Sequence, residues 1–426
     1  MLLIIILFFI FIFIVISRSC KINIPSKRIL YLYVGYWGLT IILSSIGVGN
    51  LNRPSNFTFT LLLLSLAMFV SGFMLLKRSK SETTMSTVEL KQLLDTFIDS
   101  KTFLFLLVIA TITSLSYFSI MQSALAYTNS LSEVREMYFD GSMFGNRYVW
   151  LNYFFLEPMH YICLPLFGYM LLFRRNWKFL LITVFLLSYV SLGGGRFGYL
   201  RMAFGVLFIL FCMFNDIHLK AKQWIILILS LCSFIYIVGM VTSARSSGNE
   251  SVAQEAVSGF TNYLCGSLSA LDYAINYDYI DQLGGYQLGK LTFSSIDGIF
   301  KYANMLLGFN YDDSLARLVE MKQNTTISIG DGKSWNALYT GVLFYWLDGG
   351  FLGCIIFPFI LGMLFRFIVR QFYRFRTWPF FVLVAMFYQI NMHMVSDFKF
   401  TSPFTLIVVV LLYIIGKKRI EINRIA

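Results

Sequence analysis

Apolar residues fill most of this chain in long runs, and short polar connections separate one run from the next. A helix that crosses a bilayer needs ~20 mostly apolar residues, because the hydrocarbon core is about 30 Å thick. Such runs occur near 2–17, 29–48, 57–76, 102–122, 150–173, 178–194, 197–214, 223–241, 337–365, 378–396 and 402–416. The pattern predicts an all-α polytopic membrane protein with about eleven transmembrane helices in a single domain, residues 1–426.

One long interval interrupts the pattern, between the eighth and ninth predicted spans. Residues 242–336 carry acids, bases, glycines and tyrosines in place of a continuous apolar run. A connection of about 95 residues is far longer than most, and connections of such length usually have a task of their own. We therefore expect an inserted loop with short helices that forms the working face of the protein.

The composition agrees with the membrane class. Hydrophobic residues make up 58% of the chain and charged residues only 13%, a balance that a water-soluble domain of this size could not hide from solvent. The six cysteines include no CxxC pair, and the three histidines have no metal-site spacing. We expect neither a metal nor a cofactor.

The charge pattern predicts the orientation of the chain. A net charge of +12 would suit nucleic acid, but the basic residues lie at the ends of the apolar runs and form no basic domain. Most of the 34 lysines and arginines fall in alternate connections, whereas most acids fall in the others. By the positive-inside rule the first set is cytoplasmic, and loop 242–336 faces outside. The pattern predicts contact with membrane lipids and no nucleic acid.

Three polar regions share the predicted outer face, and function is expected where they meet. They are the connection before Leu151, the link 193–196 and loop 242–336. In the link, three successive glycines permit a tight backbone turn before Arg196, which stands at the outer membrane boundary.

Arg201 follows within the next predicted span. An arginine at membrane depth is costly, so it normally faces a polar cavity, a partner or an anionic ligand. Alternatively, the side chains of Arg196 and Arg201 extend to the membrane interface or pair with an acid such as Glu157.

Four further arginines lie in the predicted outer connections. Arg135 and Arg147 precede the fifth span, where charges at helical spacing also suit a solvated helix face. Arg245 follows the eighth span, and Arg317 lies further along the long loop. A guanidinium donates two parallel hydrogen bonds and stays charged, which suits pyrophosphate. The arginines therefore indicate an anionic substrate that carries a diphosphate.

Few residues could serve as a base. His218 falls in a predicted cytoplasmic link, and His160 within a span is interpreted as a packing or hydrogen-bonding residue. His393 lies near the outer end of the tenth span, close to Asp397, and is a candidate base.

Residues 258–280 have apolar positions at intervals of three and four. The spacing predicts an amphipathic helix, which would lie on the membrane, cap the cavity or pack as an ordinary loop helix.

Five segments resemble, in their order and topology, the oligosaccharide repeat-unit polymerases of bacteria, the Wzy-type O-antigen polymerases. They are SLSEVREMYFDG, GGGRFGYLRMAFGVLF, NYLCGSLSALDYAI, LGGYQLGKLTF and SWNALYTGVLFYWLDGGFLGCIIFPFILGMLFR. The most specific match is at Asn336, Tyr339, Thr340, Tyr345, Asp348, Gly350 and Gly353. The resemblance covers roughly residues 115–370 by motif and the whole chain by hydropathy. One departure is Asp-Gly-Gly, where many relatives have Asp-Phe-Gly.

The resemblance implies a metal-independent glycosyltransferase of the bacterial inner membrane, active on the periplasmic side. The donor would be a growing glycan on undecaprenyl diphosphate, and the acceptor a hydroxyl of one lipid-linked repeat unit. Attack at the anomeric carbon expels the lipid diphosphate, which arginines of the outer face would bind. Arg135, Arg196 and Arg245 sit in the matching motifs. Asp348 and Tyr339 are expected to contact substrate, and the base would be His393 or an outer-loop carboxylate.

Two other functions remain open at this point. An O-antigen ligase shares the architecture and the donor but delivers the glycan to lipid A core. A lipid-linked oligosaccharide flippase performs no chemistry and would show two related halves, whereas no internal repeat is visible. The product, O-antigen or capsular polysaccharide, and a chain-length regulator as a protein partner are also left open by the sequence.

Overall fold

The computed structural model describes residues 1–19, 23–76, 85–139, 142–192, 197–213, 221–243, 257–259, 261–330, 332–335, 339–393 and 403–425. Its α-helices, numbered in chain order, are α1 Leu2–Arg18, α2 Ile24–Ile46, α3 Asn56–Leu75, α4 Thr87–Ile98, α5 Lys101–Thr128, α6 Leu131–Phe139, α7 Gly145–Leu151, α8 Glu157–Phe173, α9 Trp177–Ser191, α10 Phe197–Leu207, α11 Ala221–Ser243, α12 Ser267–Asn276, α13 Tyr279–Gln282, α14 Ser294–Leu306, α15 Ser314–Asn324, α16 Gly341–Phe375, α17 Trp378–His393 and α18 Pro403–Ile425. A 3₁₀ turn covers Val48–Asn50, and π-helical turns cover Asn152–Leu156, Phe208–Met213 and Asn262–Gly266.

The fold is predominantly helical, as the hydrophobic pattern predicts. Among the described residues, five helices are long and apolar enough to cross a bilayer: α2, α3, α5, α16 and the continuous helix Asn152–Phe173. The other six predicted spans fall on shorter apolar helices. The membrane class therefore agrees with the structure, while the count of eleven spans and their orientation stay predictions.

Between α11 and α16, the described residues contain only short helices and one hairpin of two strands. The strands β1 Ile327–Gly330 and β2 Lys333–Trp335 pair antiparallel, with Ile327 opposite Trp335. This hairpin is a small departure from the all-α prediction. No helix of the described part of this interval is long enough to span a membrane.

The chain divides into two compact units. Unit 1 comprises Met1–Thr84, Phe260–Phe375 and Ile390–Ala426. Unit 2 comprises Met85–Gly259 and Arg376–Gln389. The predicted loop 242–336 is thus shared between them, and most of it belongs to unit 1.

In unit 1, helices α3 and α16 cross with their backbones in contact. A Cβ atom at Gly72 would stand 2.0 Å from the carbonyl oxygen of Phe359, and one at Gly362 would stand 2.1 Å from that of Phe69. Small residues at a crossing allow two membrane helices to approach closely, which gains van der Waals contact. The two glycines therefore fix the closest approach of these helices.

Helix α16 is longer than the predicted span 337–365. It is interrupted at Gly349 and Gly350 and then continues through Arg366, whose side chain is fully buried. The Arg366 guanidinium donates a hydrogen bond to the Ser26 hydroxyl at 3.0 Å and lies 5.9 Å from the ring centroid of Phe73. The span appeared to end at Arg366 because an arginine normally marks a membrane boundary.

From Thr261 onward, the amphipathic segment 258–280 packs as loop helices within unit 1. Leu264, Leu268 and Leu271 are buried, and Asp272 accepts hydrogen bonds from the Ser55 amide and the Thr58 hydroxyl at the start of α3. An acid at a helix N-terminus satisfies free amides and favours the helix dipole. Of the three alternatives left open by the sequence, the structure therefore favours packing.

In unit 2, an ion-pair network joins the connections 77–101 and 174–178, both of which the charge pattern assigns to the cytoplasmic side. Arg174 contacts Asp95 and Asp99 at 2.9 Å each, and Lys178 contacts Asp99 at 2.6 Å. Residues of two connections that pair directly must lie on the same side of the unit. The contact agrees with the alternation read from the charges.

Candidate functional site

Polar side chains gather around Arg201 among the helices of unit 2. The charges of Glu157 and Arg201 both act on the hydroxyls of Tyr138 and Tyr189, and the charge of Arg201 also acts on His160. We refer to these five residues as the arginine cluster. It brings Tyr138 of the connection before Leu151 together with Tyr189 and Arg201, which precede and follow the link 193–196; the meeting of the outer regions at that link stays a prediction.

Close helix packing positions the cluster. A Cβ at Gly168 of α8 would stand 2.8 Å from the Gly205 carbonyl oxygen of α10, and one at Gly205 would stand 2.5 Å from that of Leu164. The two backbones therefore touch, because neither glycine has a side chain to separate them. This contact holds Glu157 and His160 of α8 close to Arg201 of α10.

A π-helical turn leads into α8. It covers Asn152–Leu156, and the Tyr189 hydroxyl donates a hydrogen bond to the side-chain oxygen of Asn152 at 2.9 Å. Such turns are rare in helices and are often found at functional sites. The hydrogen bond from Tyr189 ties this turn to α9.

The tyrosines of the cluster are hydrogen-bond donors at physiological pH. Burial raises the pKa of Tyr138 above its usual value, and Glu157 raises it further, while Tyr148 and Arg201 act in the opposite direction. The hydroxyls of Tyr138 and Tyr148 lie 3.4 Å apart, and the pKa of Tyr148 is also raised by burial. Neutral hydroxyls beside a guanidinium are suited to bind an anionic group.

His160 is more deeply placed than its sequence context indicates. Its side chain is 1% exposed, and neither ring nitrogen has a hydrogen-bond partner among the described residues. The ring packs against Tyr189 at a centroid distance of 4.9 Å. The packing part of its interpretation is therefore correct. The two nitrogens keep the capacity to bind a group that enters the cluster.

Five of the predicted site residues are described only in part or not at all. Arg135 belongs to α6 and Arg147 to α7, and His393 ends α17, but the description covers the backbone of these residues and not their side chains. Arg196 and Arg245 lie outside the described residues. The structure thus places Arg201 in a polar cluster and leaves the roles of these five residues as predictions.

A second polar group forms in the long connection, within unit 1. Tyr311 donates a short hydrogen bond to Asp297, and Lys301 forms an ion pair with Asp313. Lys290 lies over the Tyr311 ring, 5.6 Å from its centroid. We refer to these five residues as the loop cluster.

Burial raises the pKa of Asp297, whereas the hydrogen bond from Tyr311 and the charge of Lys290 lower it. Asp297 is 8% exposed, so its carboxyl is partly desolvated, and the charge of Lys290 acts on it. It is a carboxylate of loop 242–336, which the sequence analysis predicts to face outside and among whose carboxylates it left a base open. One signal in the sequence could have found it: Asp297 is the single charged residue in the stretch SSIDGIF.

Arg317 extends this polar region. Its guanidinium contacts Asp312 at 2.9 Å and the side-chain oxygen of Gln287 at 3.3 Å. The backbone N–H of Gln287 in turn donates to the Leu347 carbonyl oxygen at 3.0 Å. Arg317 therefore helps to hold the segment that follows the glycine pair 284–285, as well as being a predicted substrate contact.

Asp348 connects this segment to the break in α16. Its carboxylate accepts hydrogen bonds from the amides of Leu291 at 3.1 Å and Thr292 at 2.6 Å, while its carbonyl oxygen accepts one from the Leu288 amide at 3.0 Å. Gly350 makes the break possible with φ of +57°, and a Cβ there would lie 2.8 Å from the Tyr286 hydroxyl. The motifs LGGYQLGKLTF and Asp-Gly-Gly are therefore joined in space.

Tyr339, the other predicted substrate contact of this motif, is buried. Its hydroxyl lies 3.3 Å from that of Tyr279, and the Lys322 ammonium lies 4.8 Å from its ring centroid. Burial raises the pKa of Tyr339, and Tyr279 raises it further. Arg317, Asp348 and Tyr339 thus belong to unit 1, and Arg201 to unit 2.

Comparison with known proteins gives no match: no family model, no curated protein and no solved structure is similar to this chain. Within the described ranges, no three His, Cys, Asp or Glu side chains are grouped as a metal ion would require. The two clusters themselves contain guanidinium, ammonium, hydroxyl, imidazole and carboxylate groups.

Proposed function

We propose that this protein is a membrane-embedded glycosyltransferase that joins oligosaccharide repeat units carried on undecaprenyl diphosphate, on the periplasmic side of the bacterial inner membrane. The observation that carries the proposal is the arginine cluster: a guanidinium within an apolar helix, beside neutral tyrosine hydroxyls and a buried histidine. A cation kept at such a place suits an anionic group that enters from the membrane, as a lipid-linked diphosphate does.

In the proposed reaction, a hydroxyl oxygen of the acceptor sugar attacks the anomeric carbon of the donor glycan. The bond between that carbon and the diphosphate oxygen breaks, its electron pair leaves with the lipid diphosphate, and a base takes the hydroxyl proton. Negative charge grows on the diphosphate in the transition state. Preoriented donors such as Arg201 and Tyr138 stabilise this charge, and losing one such contact costs about 10²-fold in rate.

The order of the five segments of the chain supports the same proposal, since it resembles that of the repeat-unit polymerases. In this resemblance, the lipid diphosphate is bound by Arg196, Arg135 and Arg245. Arg201 is a further contact of the diphosphate. The base stays open between His393 and an outer-loop carboxylate. The product is a polymer of repeat units destined for O-antigen or capsule.

The proposal is tested with surface-glycan gels of a strain in which the gene is deleted and then complemented. A polymerase predicts single repeat units attached to core and no ladder in the deletion strain, with the ladder restored by the wild type. Alanine at Arg196, Arg135 or Arg245 should leave the ladder missing or shortened at normal protein abundance.

Two other results would contradict polymerase activity. Lipid-linked polymer that accumulates without attached units would identify a ligase. Single units trapped on the cytoplasmic side would identify a flippase. A full ladder from all three alanine variants would contradict the proposed site.

A further inference from the structure

Helix α14 carries its apolar residues on the outside of unit 1. Phe300 is 58% exposed, Leu306 88%, Leu307 72% and Phe309 63%. Ile296, Ile299, Phe300 and Leu306 recur at the spacing of one helix face, and the exposed residues after Leu306 extend that face. Apolar surface concentrated on one helix in this way marks an interaction site.

In the first two turns of α14 the opposite face is polar and turned inward. Ser294, Ser295 and Asp297 are buried in its first turn, and Lys301 follows on the same side in its ion pair with Asp313. The helix is therefore inverted relative to one that packs on a water-soluble core, where the apolar side would be buried.

The buried contacts fix the rotation of α14 about its axis. Turning the apolar face inward would break the hydrogen bond between Tyr311 and Asp297 and the ion pair between Lys301 and Asp313. Both acids would then lose their partners, which is costly for groups that are partly desolvated. The outward direction of the apolar face is thus a built feature of the unit.

The apolar surface of α14 continues onto a neighbouring apolar helix. Helix α14 packs against α18, where the rings of Tyr302 and Phe404 lie 6.1 Å apart between centroids. Further along α18, Ile407, Val410 and Leu411 are also exposed. Residues 406–417 of this helix form one of the short apolar helices that coincide with a predicted span. The medium that covers α18 is therefore the one that covers α14.

We propose that α14 is an interfacial helix, whose face of Ile296, Ile299, Phe300 and Leu306, with Leu307 and Phe309, lies in the headgroup region of the lipid bilayer. The occupant is lipid because the face continues the apolar surface of α18 in a chain of the membrane class, and because the face itself bears no charge that a polar partner could match. The loop cluster then lies directly above the membrane surface. This inference rests on the membrane class and goes beyond the proposed glycosyl transfer.

The position of α14 can be measured with an environment-sensitive dye in the full-length protein. Phe300→Cys and Leu306→Cys are labelled separately with nitrobenzoxadiazole, in a background whose six native cysteines are replaced. Glu320→Cys on α15 is the matched control, because Glu320 is an exposed residue of another short helix of the same unit. None of the three positions is buried, so that the label displaces no core residue.

The labelled proteins are placed in nanodiscs of phosphatidylcholine and phosphatidylglycerol, with and without lipid that bears a nitroxide near the top of its acyl chain. The proposal expects emission at shorter wavelength and several-fold stronger quenching for the dye on Phe300→Cys and Leu306→Cys than on Glu320→Cys. The fluorescence of the control should respond to a water-soluble quencher instead.

Equal lipid quenching at the three positions, with emission typical of water, would overturn the inference. Energy transfer between donor- and acceptor-labelled copies at Phe300→Cys, without lipid quenching, would assign the face to a second copy of the chain and would also overturn it. Neither result depends on polymer synthesis. A failure of the glycosyltransferase proposal is therefore distinguishable from a failure of this one.

Discussion

The carboxylate of Asp348 accepts a hydrogen bond from the Thr292 amide at 2.6 Å, and thereby ties the broken helix α16 to the segment that precedes α14. The same carboxylate accepts from the Leu291 amide at 3.1 Å, and the side chain is 1% exposed. Both oxygens are thus engaged by the protein's own backbone. Asp348, predicted as a substrate contact, has a clear structural role in the described part of the chain.

Replacing Asp348 with Asn should destabilise unit 1. The side-chain amide of Asn keeps one acceptor oxygen and directs an N–H group toward a backbone N–H, so one hydrogen bond is lost and one donor is opposed. A hydrogen bond to a charged group contributes about 1.5–3 kcal/mol, and we expect a loss of that size. The measurement is thermal unfolding of the purified protein in detergent. Glu320→Gln is the control, and an unfolding midpoint as high as the wild type for Asp348→Asn would contradict the structural role.

Helix packing makes a second prediction, for the glycines of the crossing between α3 and α16. Gly72→Ala places a Cβ 2.0 Å from a backbone oxygen, so the helices must separate. We expect a loss of about 1–3 kcal/mol, the usual cost of overpacking. Gly35→Ala is the matched control, because no heavy atom lies within 4 Å of a Cβ at Gly35 in α2.

In the same unfolding assay, Gly35→Ala should be neutral or slightly stabilising, because alanine favours a helix over glycine by about 1 kcal/mol. The prediction concerns the difference between the two variants. Equal unfolding midpoints for Gly72→Ala and Gly35→Ala would show that the crossing is not as close as the structure indicates.

The arginine cluster makes a prediction about activity. Arg201→Gln should lower the rate of polymer formation by about 10²-fold, because a charged donor to the leaving diphosphate is lost. Arg376→Gln is the control, since it removes a guanidinium from an ion pair with Glu89 at 3.0 Å, and partly exposed pairs of this kind contribute little because solvent screens them. Activity is measured as ladder formation by equal amounts of membrane-inserted protein.

A double variant separates the two interpretations of Arg201. If Arg201 served only to balance the charge of Glu157, Glu157→Gln combined with Arg201→Gln would remove both charges and restore the ladder. If Arg201 binds the diphosphate, the double variant stays as inactive as Arg201→Gln. Restoration of a full ladder would therefore overturn the binding role.

The loop cluster predicts opposite pH dependences for two aspartates. Burial raises the pKa of Asp297, so its contribution to stability is greatest below the pKa of the unfolded chain and is lost as the pH rises through the folded value. Burial alone would raise the pKa of Asp313 too, but the hydrogen bonds from Lys301 and from the Ala316 amide lower it. The contribution of Asp313 is therefore present above the unfolded pKa and is lost as the pH falls.

The comparison uses Asp297→Asn and Asp313→Asn, and Asn at position 313 keeps an acceptor for the Ala316 amide. Thermal midpoints are followed from acid to neutral pH. The advantage of the wild type over Asp297→Asn should shrink as the pH rises, while its advantage over Asp313→Asn should grow. If the advantage of the wild type changed with pH in the same direction for both variants, the carboxyl of Asp297 would not be buried as the structure shows.

Particular residues show where sequence reasoning was sufficient and where it was not. The apolar runs located every helix of the predicted spans, because about 20 apolar residues in succession have few alternatives to a buried helix. Arg201 lies among polar groups, as expected of a cation within an apolar run, while its contact with a substrate stays a prediction. The identity of those groups, Tyr138 and Tyr189 among them, was not predictable, since they come from other helices.

The two amphipathic helices of the long connection make the same point. Residues 258–280 and helix α14 both have apolar positions at helical spacing, yet the first is packed and the second is exposed. Spacing defines an apolar face but not the direction in which it points. That direction depends on the contact of Asp272 in α12 with the start of α3, and on the contacts of Asp297 and Lys301 in the loop cluster.

The sequence by itself determined the membrane class, the helical character of the apolar runs and the polar nature of the long connection, because hydrophobicity and helix period are local properties. The tertiary structure alone decided that Arg366 is buried, that Asp348 holds the backbone of residues 291–292 and that the face of α14 points outward. Each of these depends on how closely two helices approach and on their rotation, which glycine contacts and paired charges far apart in the chain set together.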